Sequence, residues 1–268
     1  MKVAVILSVY KNDAIRDFEN AVFSILEQTL PCDVFIFRDG VVSEEMQHVI
    51  NQFSVIDNVK CVESESNVGL AVGLNRLIDH VVKGNYEYVA RMDSDDLSYN
   101  DRIETQVEFF EENKDIHVCG TYCREFGSAY ALTVKCVPKQ HDDLENYSIT
   151  RCPFIHPTVM FRTKVFLDGN RYPTDTMLSE DMAFWFLLLV RGYKFANIGQ
   201  VLLDFKINDQ TLNRRRGFSK AWSEFTIRFK YMIKLKKVSF VNLLKVSLRL
   251  VFNMMPTFAI KYAYRMFR

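Results

Sequence analysis

Residues 86–96 read YEYVARMDSDD, a short apolar run that ends in four polar residues, three of them acidic. The run has the composition of a buried strand. Asp93 and Asp95, which flank one residue at its end, repel each other and resist desolvation unless a cation joins them. Oxygen ligands of this kind suit Mg²⁺ or Mn²⁺. The residues alone leave a second interpretation, in which the helix that follows is capped by Asp96, Ser98 and Asn100.

The first 115 residues alternate short β-rich runs with longer helical patterns, which is typical of an α/β fold with a parallel sheet between helices. The predicted strands span residues 3–9, 34–38, 59–63 and 86–92. The predicted helices span residues 17–28, 44–53 and 70–82. Right-handed crossovers place the carboxyl ends of such strands at one edge of the sheet, where ligands bind.

Candidate functional residues are therefore expected in the segment that follows each strand. Ser8-Val9-Tyr10 follows the first strand, and Asp39 follows the second within an Asp-Gly pair. Asp39 is a candidate hydrogen-bond acceptor for a base or a sugar, although Asp-Gly pairs also mark simple turns. Asn67 lies in the Ser-Asn-Val-Gly segment after the third strand, whose amides either face a phosphate or merely begin a helix.

The middle of the chain is less regular. Further strands are predicted over residues 118–126, 131–137, 156–161 and 201–207. A helix is predicted from Ser179 through Arg191, with Ser179 as its N-cap and Gly192 as its C-terminal stop.

The predicted helix at 179–191 opens with the second acidic pair, Glu180 and Asp181. A carboxylate there is a candidate general base, although first-turn acids also complement the helix dipole. Trp185, one turn later, either packs beneath a site or fills the core. His156 precedes a proline, which holds its backbone extended, and as a lone histidine it favours a structural hydrogen-bonding role.

Charge is distributed unevenly along the chain. Residues 214–268 carry fourteen Lys and Arg against one acid, a net charge of +13, so residues 1–213 carry −12. Apolar residues recur at helical spacing over 222–233 and 244–255 with Lys and Arg between them, which predicts two basic amphipathic helices. Such a tail meets an anionic surface, or it packs on the domain and leaves its charges in solvent.

Cysteine usage and hydropathy predict the compartment. The six cysteines show no zinc-like double CxxC spacing, which favours reduced core thiols in a cytosolic protein. The first eight residues predict a buried strand, because their apolar run is too short for a signal peptide. No stretch reaches the roughly 18 apolar residues of a membrane span, so we expect a protein that is not integral to a membrane.

These motifs, taken in order over about residues 1–210, resemble the family 2 glycosyltransferases of bacterial surface-polysaccharide and O-antigen assembly. The resemblance implies the GT-A fold, a Rossmann-like α/β architecture with a mostly parallel sheet, here with a C-terminal basic amphipathic extension. The matching residues are Ser8-Val9-Tyr10, Asp39-Gly40, Asn67-Val68-Gly69-Leu70, Arg91-Met92-Asp93-Ser94-Asp95-Asp96, His156-Pro157-Thr158, Ser179-Glu180-Asp181, Trp185 and Arg191-Gly192-Tyr193.

The resemblance further implies two functional units. Residues 1–212 would form the catalytic domain, with a nucleotide-sugar-binding half at 1–115 and an acceptor-binding half at 116–212. Residues 213–268 would form a tail on the inner face of the cytoplasmic membrane. The reaction implied is inverting transfer of a hexose, such as glucose, galactose or an N-acetylated relative, from a UDP-sugar to a polyprenyl-diphosphate-linked saccharide.

By the same resemblance, Asp95 would be the main ligand of Mn²⁺ or Mg²⁺, with Asp93 beside it or nearer the ribose. Asp181, next to Glu180, would take the proton of the acceptor hydroxyl. His156 and Trp185 would lie on the acceptor side. The nucleotide-sugar pocket would be lined by Ser8, Tyr10, Asp39, Asn67, Arg91 and Asp93. One departure concerns base recognition, because the family often has a second Asp before Gly40 and a Ser after it.

Two other functions compete with this interpretation. A nucleotidyltransferase would share the sheet and the metal chemistry, but the loop after the first strand lacks the Gly-rich, basic sequence expected of one. A nucleic-acid-binding protein would use the basic tail. The acidic body and the position of the tail aromatics on an apolar helix face argue against nucleic acid as a partner.

Overall fold

A computed structural model describes residues 1–176, 179–207 and 218–254 of the chain. An eight-stranded sheet with strand order β3-β2-β1-β4-β7-β6-β8-β5 forms its centre. Four of the seven strand pairings in the described residues are parallel. The strands are β1 Val3–Tyr10, β2 Asp33–Asp39, β3 Val59–Ser64, β4 Tyr88–Arg91, β5 Leu97–Ser98, β6 Val118–Phe126, β7 Met160–Arg162 and β8 Phe195–Lys206.

Helices cover the sheet on both faces. Apolar side chains of alternate β1 residues point into two separate clusters, one packed on α1, α2 and α4 and the other on α3 and α7. Strands buried on both faces explain why β1 and β2 are continuous apolar runs in the sequence. The helices are α1 Ile15–Leu26, α2 Glu44–Ser54, α3 Leu70–Val81, α4 Arg102–Glu112, α5 His141–Ser148, α6 Lys164–Leu167, α7 Glu180–Val190, α8 Phe218–Lys234 and α9 Phe240–Met254.

The parallel half of the sheet confirms the predicted order of strands and helices. Strands β1 to β4 pair in parallel, and each predicted helix of this half differs from the observed one by a few residues at most. Tyr10 and Asp39 are direct neighbours at the carboxyl ends of β1 and β2. The edge that was expected to bind ligands is therefore formed.

The second half departs from prediction at two segments. The strand expected over residues 131–137 is wrong, since this segment makes a single bridge, between Lys135 and Cys123. Val134 is exposed, so the segment lacks the buried apolar face that stabilises a strand. The strand expected from His156 begins only at Met160, because Pro157 lacks an amide hydrogen and lies in a 3-10 turn.

Helix α7 runs through the middle of the second cluster. It starts after Ser179, as expected, and ends at Val190. Gly192 closes it at φ +81°, where the amide of Tyr193 donates to the carbonyl of Leu188 at 3.1 Å. This is the glycine-type stop that the sequence predicted. Because α7 is apolar on nearly every side, its start is held firmly against the core.

The basic C-terminal segment forms two helices that pack on the domain with one face. Met232 of α8 and Val246 of α9 belong to the second hydrophobic cluster, and Tyr231 stacks on Phe186 of α7 at 5.1 Å between ring centroids. The opposite face leaves large apolar side chains exposed, among them Trp222 at 52% and Phe240 at 80%. Residues 208–217 and 255–268, which hold part of the predicted tail, lie outside the described residues.

The structure tests the predictions that the cysteines are buried thiols and that the chain has no membrane span. All six cysteines are free thiols, but Cys136 is exposed, so the expectation that every one lies in the core is wrong for that residue. Within the residues that the structure describes, no helix combines the length and the apolar character that a membrane span requires.

Candidate active site

The acidic segment after β4 forms a compact cluster of carboxylates. Asp93, Asp95 and Asp96 each bring one carboxylate oxygen to within 4.8 Å of the other two. Asp96 is fully buried; its Oδ1 accepts a hydrogen bond from the amide of Lys206 at 2.7 Å, whereas its Oδ2 is buried without a hydrogen-bond partner. A buried, unpartnered carboxylate oxygen among other carboxylates is the donor set that a hard divalent cation prefers.

The electrostatics of the cluster point to the same kind of ligand. Burial raises the pKa of Asp95 to about 7, and the neighbouring Asp93 and Asp13 carboxylates add to the rise. Burial likewise raises the pKa of Asp96 well above its ordinary value. Asp95 and Asp96 thus resist ionisation beside their acidic neighbours, and a bound cation would relieve that repulsion. The residues present therefore fit Mg²⁺ or Mn²⁺.

The structure contradicts the competing interpretation, in which this segment caps a helix. Helix α4 begins at Arg102, with Asp101 at the N-cap position. The amide of Ile103 in its first turn donates to Oε1 of Gln28 from α1 at 3.0 Å. Asp96, Ser98 and Asn100 all precede the cap, and Asp96 instead binds β8.

Arg91, the last residue of β4, pairs with Asp93 through its Nη2. The guanidinium is almost fully buried, and its Nε and Nη1 have no hydrogen-bond partner. A buried cation with free donors beside an acidic cluster is a group that can bind an oxyanion. Burial raises the pKa of Glu180 in the second acidic pair, and the charge of Arg91 opposes that rise.

The loop after β1 joins the acidic cluster through Asp13. Oδ2 of Asp13 accepts hydrogen bonds from the amide of Tyr10 at 3.1 Å and from Oγ of Ser94 at 2.8 Å. Tyr10 and Ser8 are both half-buried in β1, and Ser8 aligns with Phe37 of β2. The ends of β1 and β4 are thereby held together at one edge of the sheet.

Asp39 holds the loop that precedes α3. Its exposure is 4%, and its two oxygens accept the amides of Val68 at 2.6 Å and Gly69 at 3.0 Å. Nδ2 of the exposed Asn67 donates to the same carboxylate at 3.1 Å. Asp39 therefore occupies two of the loop amides for which the sequence left open either a phosphate contact or a simple helix start. Asp39 is therefore neither a simple turn residue nor a hydrogen-bond acceptor left open for a ligand.

Glu180 and Asp181 form the first turn of α7. Burial and the neighbouring Asp181 carboxylate raise the pKa of Glu180. Asp181 is half-buried; its Oδ1 accepts the amide of Met182 at 2.7 Å, and its Oδ2 lies 3.8 Å from Sγ of Cys152. The carboxylate is thus oriented by its own helix and by a thiol from the segment after α5.

His156 packs against Trp185, which lies one turn after the acidic pair on α7. Nε2 of His156 is 3.0 Å from the hydroxyl of Tyr172, and its ring meets the edge of Trp185 at 5.8 Å. Burial lowers the pKa of His156 well below its ordinary value, with Arg91 adding to the effect, so the imidazole is neutral at pH 7. Trp185 is fully buried among aromatic rings, so it supports the site from the core and does not line an open surface.

Tyr172 shows that the two acidic groups share one neighbourhood. Burial raises the pKa of its phenol, and the Arg91 guanidinium opposes that rise. Asp181 and Asp93, one from each acidic group, both add to the rise in that pKa. A charge at the end of β4 and a charge at the start of α7 therefore act on the same buried hydroxyl.

Comparison with known proteins identifies the family. The model of the family described as "Glycosyl transferase family 2" matches residues 4–167. The chain belongs to this family. The matched segment includes the acidic cluster, Asp39 and its loop, and His156.

Two relatives of this family 2 glycosyltransferase cover nearly its whole length. A UDP-Gal:alpha-D-GlcNAc-diphosphoundecaprenol beta-1,3-galactosyltransferase from Escherichia coli is 30% identical over 272 residues, which cover 98% of this chain and 95% of that protein. The amylovoran biosynthesis glycosyltransferase AmsE from Erwinia amylovora is 26% identical, and 97% of each chain is covered.

Two solved structures share the GT-A fold at low sequence identity. A mannosyltransferase from Pyrobaculum calidifontis, in complex with GDP-Man and Mn²⁺, matches with a TM-score of 0.64 at 15% identity and covers 98% of this chain and 82% of that one. TarS 1–349 from S. aureus, in complex with UDP-GlcNAc, matches with a TM-score of 0.63 at 15% identity and covers 90% and 74%. These likenesses confirm the predicted fold class.

Sequence reasoning on this family 2 glycosyltransferase missed three residues of the site. Asp13 lies in the polar loop after β1 and was visible there as an acid close to Tyr10. Tyr172 and Cys152 reach the site from irregular segments, and neither belongs to a motif that the sequence displays. Asp96 was placed in the matching motif and considered as a helix cap but was not predicted as a metal ligand, whereas it is the buried member of the carboxylate cluster.

Proposed function

We propose that this family 2 glycosyltransferase is a metal-dependent inverting enzyme. In this proposal it moves a hexose from a UDP-sugar to a polyprenyl-diphosphate-linked saccharide during assembly of an O-antigen or capsule-type polysaccharide. The observation that carries the proposal is the cluster of three carboxylates after β4, which includes a buried, unpartnered oxygen of Asp96 and lies at the carboxyl edge of the parallel strands. The names of the relatives from E. coli and E. amylovora support the donor, the acceptor class and the pathway.

The donor would bind at the carboxyl ends of the parallel strands, in the half formed by residues 1–115. Ser8 and Tyr10 would line the nucleotide pocket beside Asp39, which stands next to Tyr10 across the β1–β2 pair. In this proposal Asp39 acts on the base side mainly by holding the Asn67 loop, since its own oxygens are engaged there. Arg91, with two free donors, would face the diphosphate or the ribose together with Asp93.

A divalent cation would be held by Asp95 and Asp96 with Asp93, and the likeness to a mannosyltransferase in complex with Mn²⁺ makes Mn²⁺ the first cation to try. When bound, Mn²⁺ or Mg²⁺ supplies positive charge that offsets the charge developing on the leaving diphosphate. Asp13 and Ser94 would keep the loop that bears these carboxylates in register with β1.

The acceptor would bind in the half formed by residues 116–212, over the start of α7. In the transfer step the acceptor hydroxyl oxygen attacks the anomeric carbon, the bond from that carbon to the diphosphate breaks, and configuration inverts. Asp181 would accept the hydroxyl proton, which leaves UDP and a lengthened saccharide as products. Glu180 would assist by its negative charge, while His156 and Trp185 would form the floor beneath both acids.

The tail, residues 213–268, would hold the enzyme on the inner face of the cytoplasmic membrane. Its described helices pack on the domain with one face and expose aromatic and aliphatic side chains with the other. Phe218, Trp222, Phe225 and Phe229 form a continuous row of stacked rings along α8. Lys230 and Lys234 of α8 and Lys245 of α9 are also exposed, and each basic residue near an anionic leaflet contributes about 1 kcal/mol of binding.

One assay tests the activity. The full chain is incubated with a panel of UDP- and GDP-sugars and Mn²⁺, and nucleotide release is measured with and without a synthetic diphosphate-lipid sugar. We expect release of UDP that depends on both the lipid acceptor and the metal. Release of pyrophosphate from UTP and a sugar phosphate would instead support a nucleotidyltransferase, and metal-independent transfer would contradict the proposed role of the carboxylate cluster.

A second assay tests the membrane surface. Binding to vesicles that contain anionic lipid is compared with binding to neutral vesicles and to duplex DNA, each at several salt concentrations. Trp222→Ser combined with Phe229→Ser should weaken binding to anionic vesicles, whereas Val55→Ser, at an exposed apolar residue directly after α2, should leave it unchanged. Preference for DNA over anionic vesicles would overturn the assignment.

A further inference from the structure

Helix α8 contributes a buried arginine to the body of the enzyme. Arg228 is 1% exposed, although it belongs to the basic segment whose other charges mostly face solvent. Its Nη1 donates to the carbonyl oxygens of Ser148 at 2.8 Å and Ile149 at 3.1 Å. These carbonyls end α5, where a helix leaves its last acceptors without intrahelical partners. Arg228 therefore holds the end of one helix from another helix 80 positions away in the sequence.

The burial of Arg228 is energetically demanding. Its Nε and Nη2 are buried without hydrogen-bond partners, and burial lowers its pKa to about 10, so the guanidinium still carries its charge at pH 7. A buried charge with unpartnered donors costs free energy, so packing alone does not explain an arginine at this position. The charges around it include Glu224 and Arg249 from the tail and, from α7, Asp181.

The segment that Arg228 fixes leads directly to the proposed base. Cys152 follows Ile149 by three residues, and its Sγ lies 3.8 Å from Oδ2 of Asp181. Burial raises the pKa of the Cys152 thiol to about 12, so the thiol keeps its proton and donates to the carboxylate. Helix α8 also contacts the helix that bears Asp181, through the stacked rings of Tyr231 and Phe186.

We propose that Arg228 is a positioning residue for Asp181. It acts through the end of α5 and the Cys152 thiol, so that the tail helix α8 is part of the catalytic apparatus as well as a surface for the membrane. The inference rests on the proposed role of Asp181 as the base. It assigns the tail a function that persists when the acceptor is presented in solution.

The test compares variants of the full chain on a water-soluble, short-chain diphosphate-lipid acceptor. Arg228→Met should lower kcat by about 10- to 100-fold, the loss expected when a reacting group is misplaced by about 1 Å, with the KM for the UDP-sugar unchanged. Arg228→Lys, which keeps the charge and one carbonyl contact, should recover most of that loss. Arg151→Met is the matched control, because this exposed arginine lies in the same segment and its loss should leave kcat unchanged.

Cys152 provides a second route if Arg228→Met does not fold. Cys152→Ala removes the donor to Asp181 and should lower kcat without changing the KM for the donor, whereas Cys152→Ser keeps a donor and should retain most of the activity. If Arg228→Met or Cys152→Ala lowers only the melting temperature and leaves kcat per UDP-binding site unchanged, the positioning role is wrong. If Asp181→Asn itself retains full transfer, the assignment of the base fails instead, and the two failures are distinguishable.

Discussion

The amide of Val68 donates to Oδ1 of Asp39 at 2.6 Å, across 29 positions of sequence. Together with the amide of Gly69 on Oδ2, this contact makes Asp39 of β2 the acceptor for the two residues that lead into α3, whose N-cap is Gly69. A carboxylate at a helix N-terminus satisfies free amides and interacts favourably with the helix dipole. The loop beside the proposed nucleotide pocket thus depends on one side chain from the neighbouring strand.

Replacing Asp39 should therefore affect both stability and donor binding. Asp39→Ala leaves two amides without their acceptor and should lower the free energy of unfolding by about 1–3 kcal/mol, with weaker UDP binding because the loop loses its shape. Asp39→Asn keeps one acceptor oxygen and should have an intermediate effect. Urea unfolding and calorimetric titration with UDP and Mn²⁺ measure the two quantities.

Ser43 offers the matched comparison for Asp39. Its Oγ caps α2 by accepting the amide of Met46 at 3.2 Å, in a helix to which none of the proposed site residues belongs. Ser43→Ala should cost about 1 kcal/mol of stability and leave UDP affinity unchanged. Equal losses of UDP affinity in both variants would show that Asp39 has no specific connection to the donor.

Asp95→Asn should stabilise the metal-free protein while it removes activity. Because burial raises the pKa of Asp95 to about 7, the folded chain binds this proton more tightly than the unfolded chain does. Its contribution to stability is therefore present below the ordinary value of 3.8 and is lost as the pH rises through about 7. A neutral Asn avoids that loss, so the variant should melt roughly 2–4 °C higher at pH 8, the shift that about 1 kcal/mol produces in a protein of this size.

Thermal melts at several pH values, with and without Mn²⁺, test the behaviour of Asp95. Added Mn²⁺ should raise the melting temperature of the natural protein at pH 8 and have little effect on Asp95→Asn. The exposed Asp57 serves as a control, since Asp57→Asn should preserve both the pH dependence and the response to Mn²⁺. A metal-free Asp95→Asn protein that melts below the natural one at pH 8 would contradict the proposed repulsion in the cluster.

The sequence was most informative where structure is local. Strands β1 to β4 are apolar runs buried on both faces, and the helices between them carry one buried stripe each, so periodicity located all seven elements. The acids after β4 were recognised because carboxylates at the end of a buried strand need an explanation. The strand predicted over residues 131–137 is absent, because this segment has a β-rich composition but neither a buried face nor an available partner strand.

The contacts that the sequence did not reveal join distant segments. Arg228 meets Ser148, and Asp39 meets Val68, through side chains that no periodicity or motif connects. Cys152 approaches Asp181 from an irregular segment in the same way. Such pairings follow from how the sheet and helices stack in three dimensions, which is why residue type and spacing alone left Asp39 as a turn residue or a base contact.

Asp181→Asn should separate binding from chemistry. The Asn side chain cannot take up the proton of the attacking saccharide hydroxyl, so the transfer rate should fall by roughly 10²- to 10⁴-fold, while UDP affinity in the presence of Mn²⁺ stays unchanged. Glu180→Gln removes the neighbouring charge with the same change in shape and should have a smaller effect. Transfer rates at saturating donor, with UDP titrations alongside, make the comparison, and a larger loss in Glu180→Gln would assign the base to Glu180.

Gly40 should tolerate no side chain, and Gly169 serves as the control that separates backbone strain from steric contact. Both glycines have positive φ, +85° and +81°, which disfavours any residue with a Cβ. A Cβ at Gly40 would meet the amide nitrogen of Asn67 at 2.8 Å, whereas one at Gly169 would meet nothing within 4 Å. Gly169→Ala should therefore show the backbone strain alone, about 1–2 kcal/mol.

Gly40→Ala should show that strain plus the displacement of the loop held by Asp39. We expect a larger loss of stability than in Gly169→Ala and, in addition, weaker UDP binding, because the backbone at Asn67 cannot yield without breaking the contacts of Val68 and Gly69. Urea unfolding and UDP titration of the two variants provide the measurement. Equal stability losses with intact UDP binding would mean that the loop shifts freely and that its close approach to Gly40 does not shape the donor pocket.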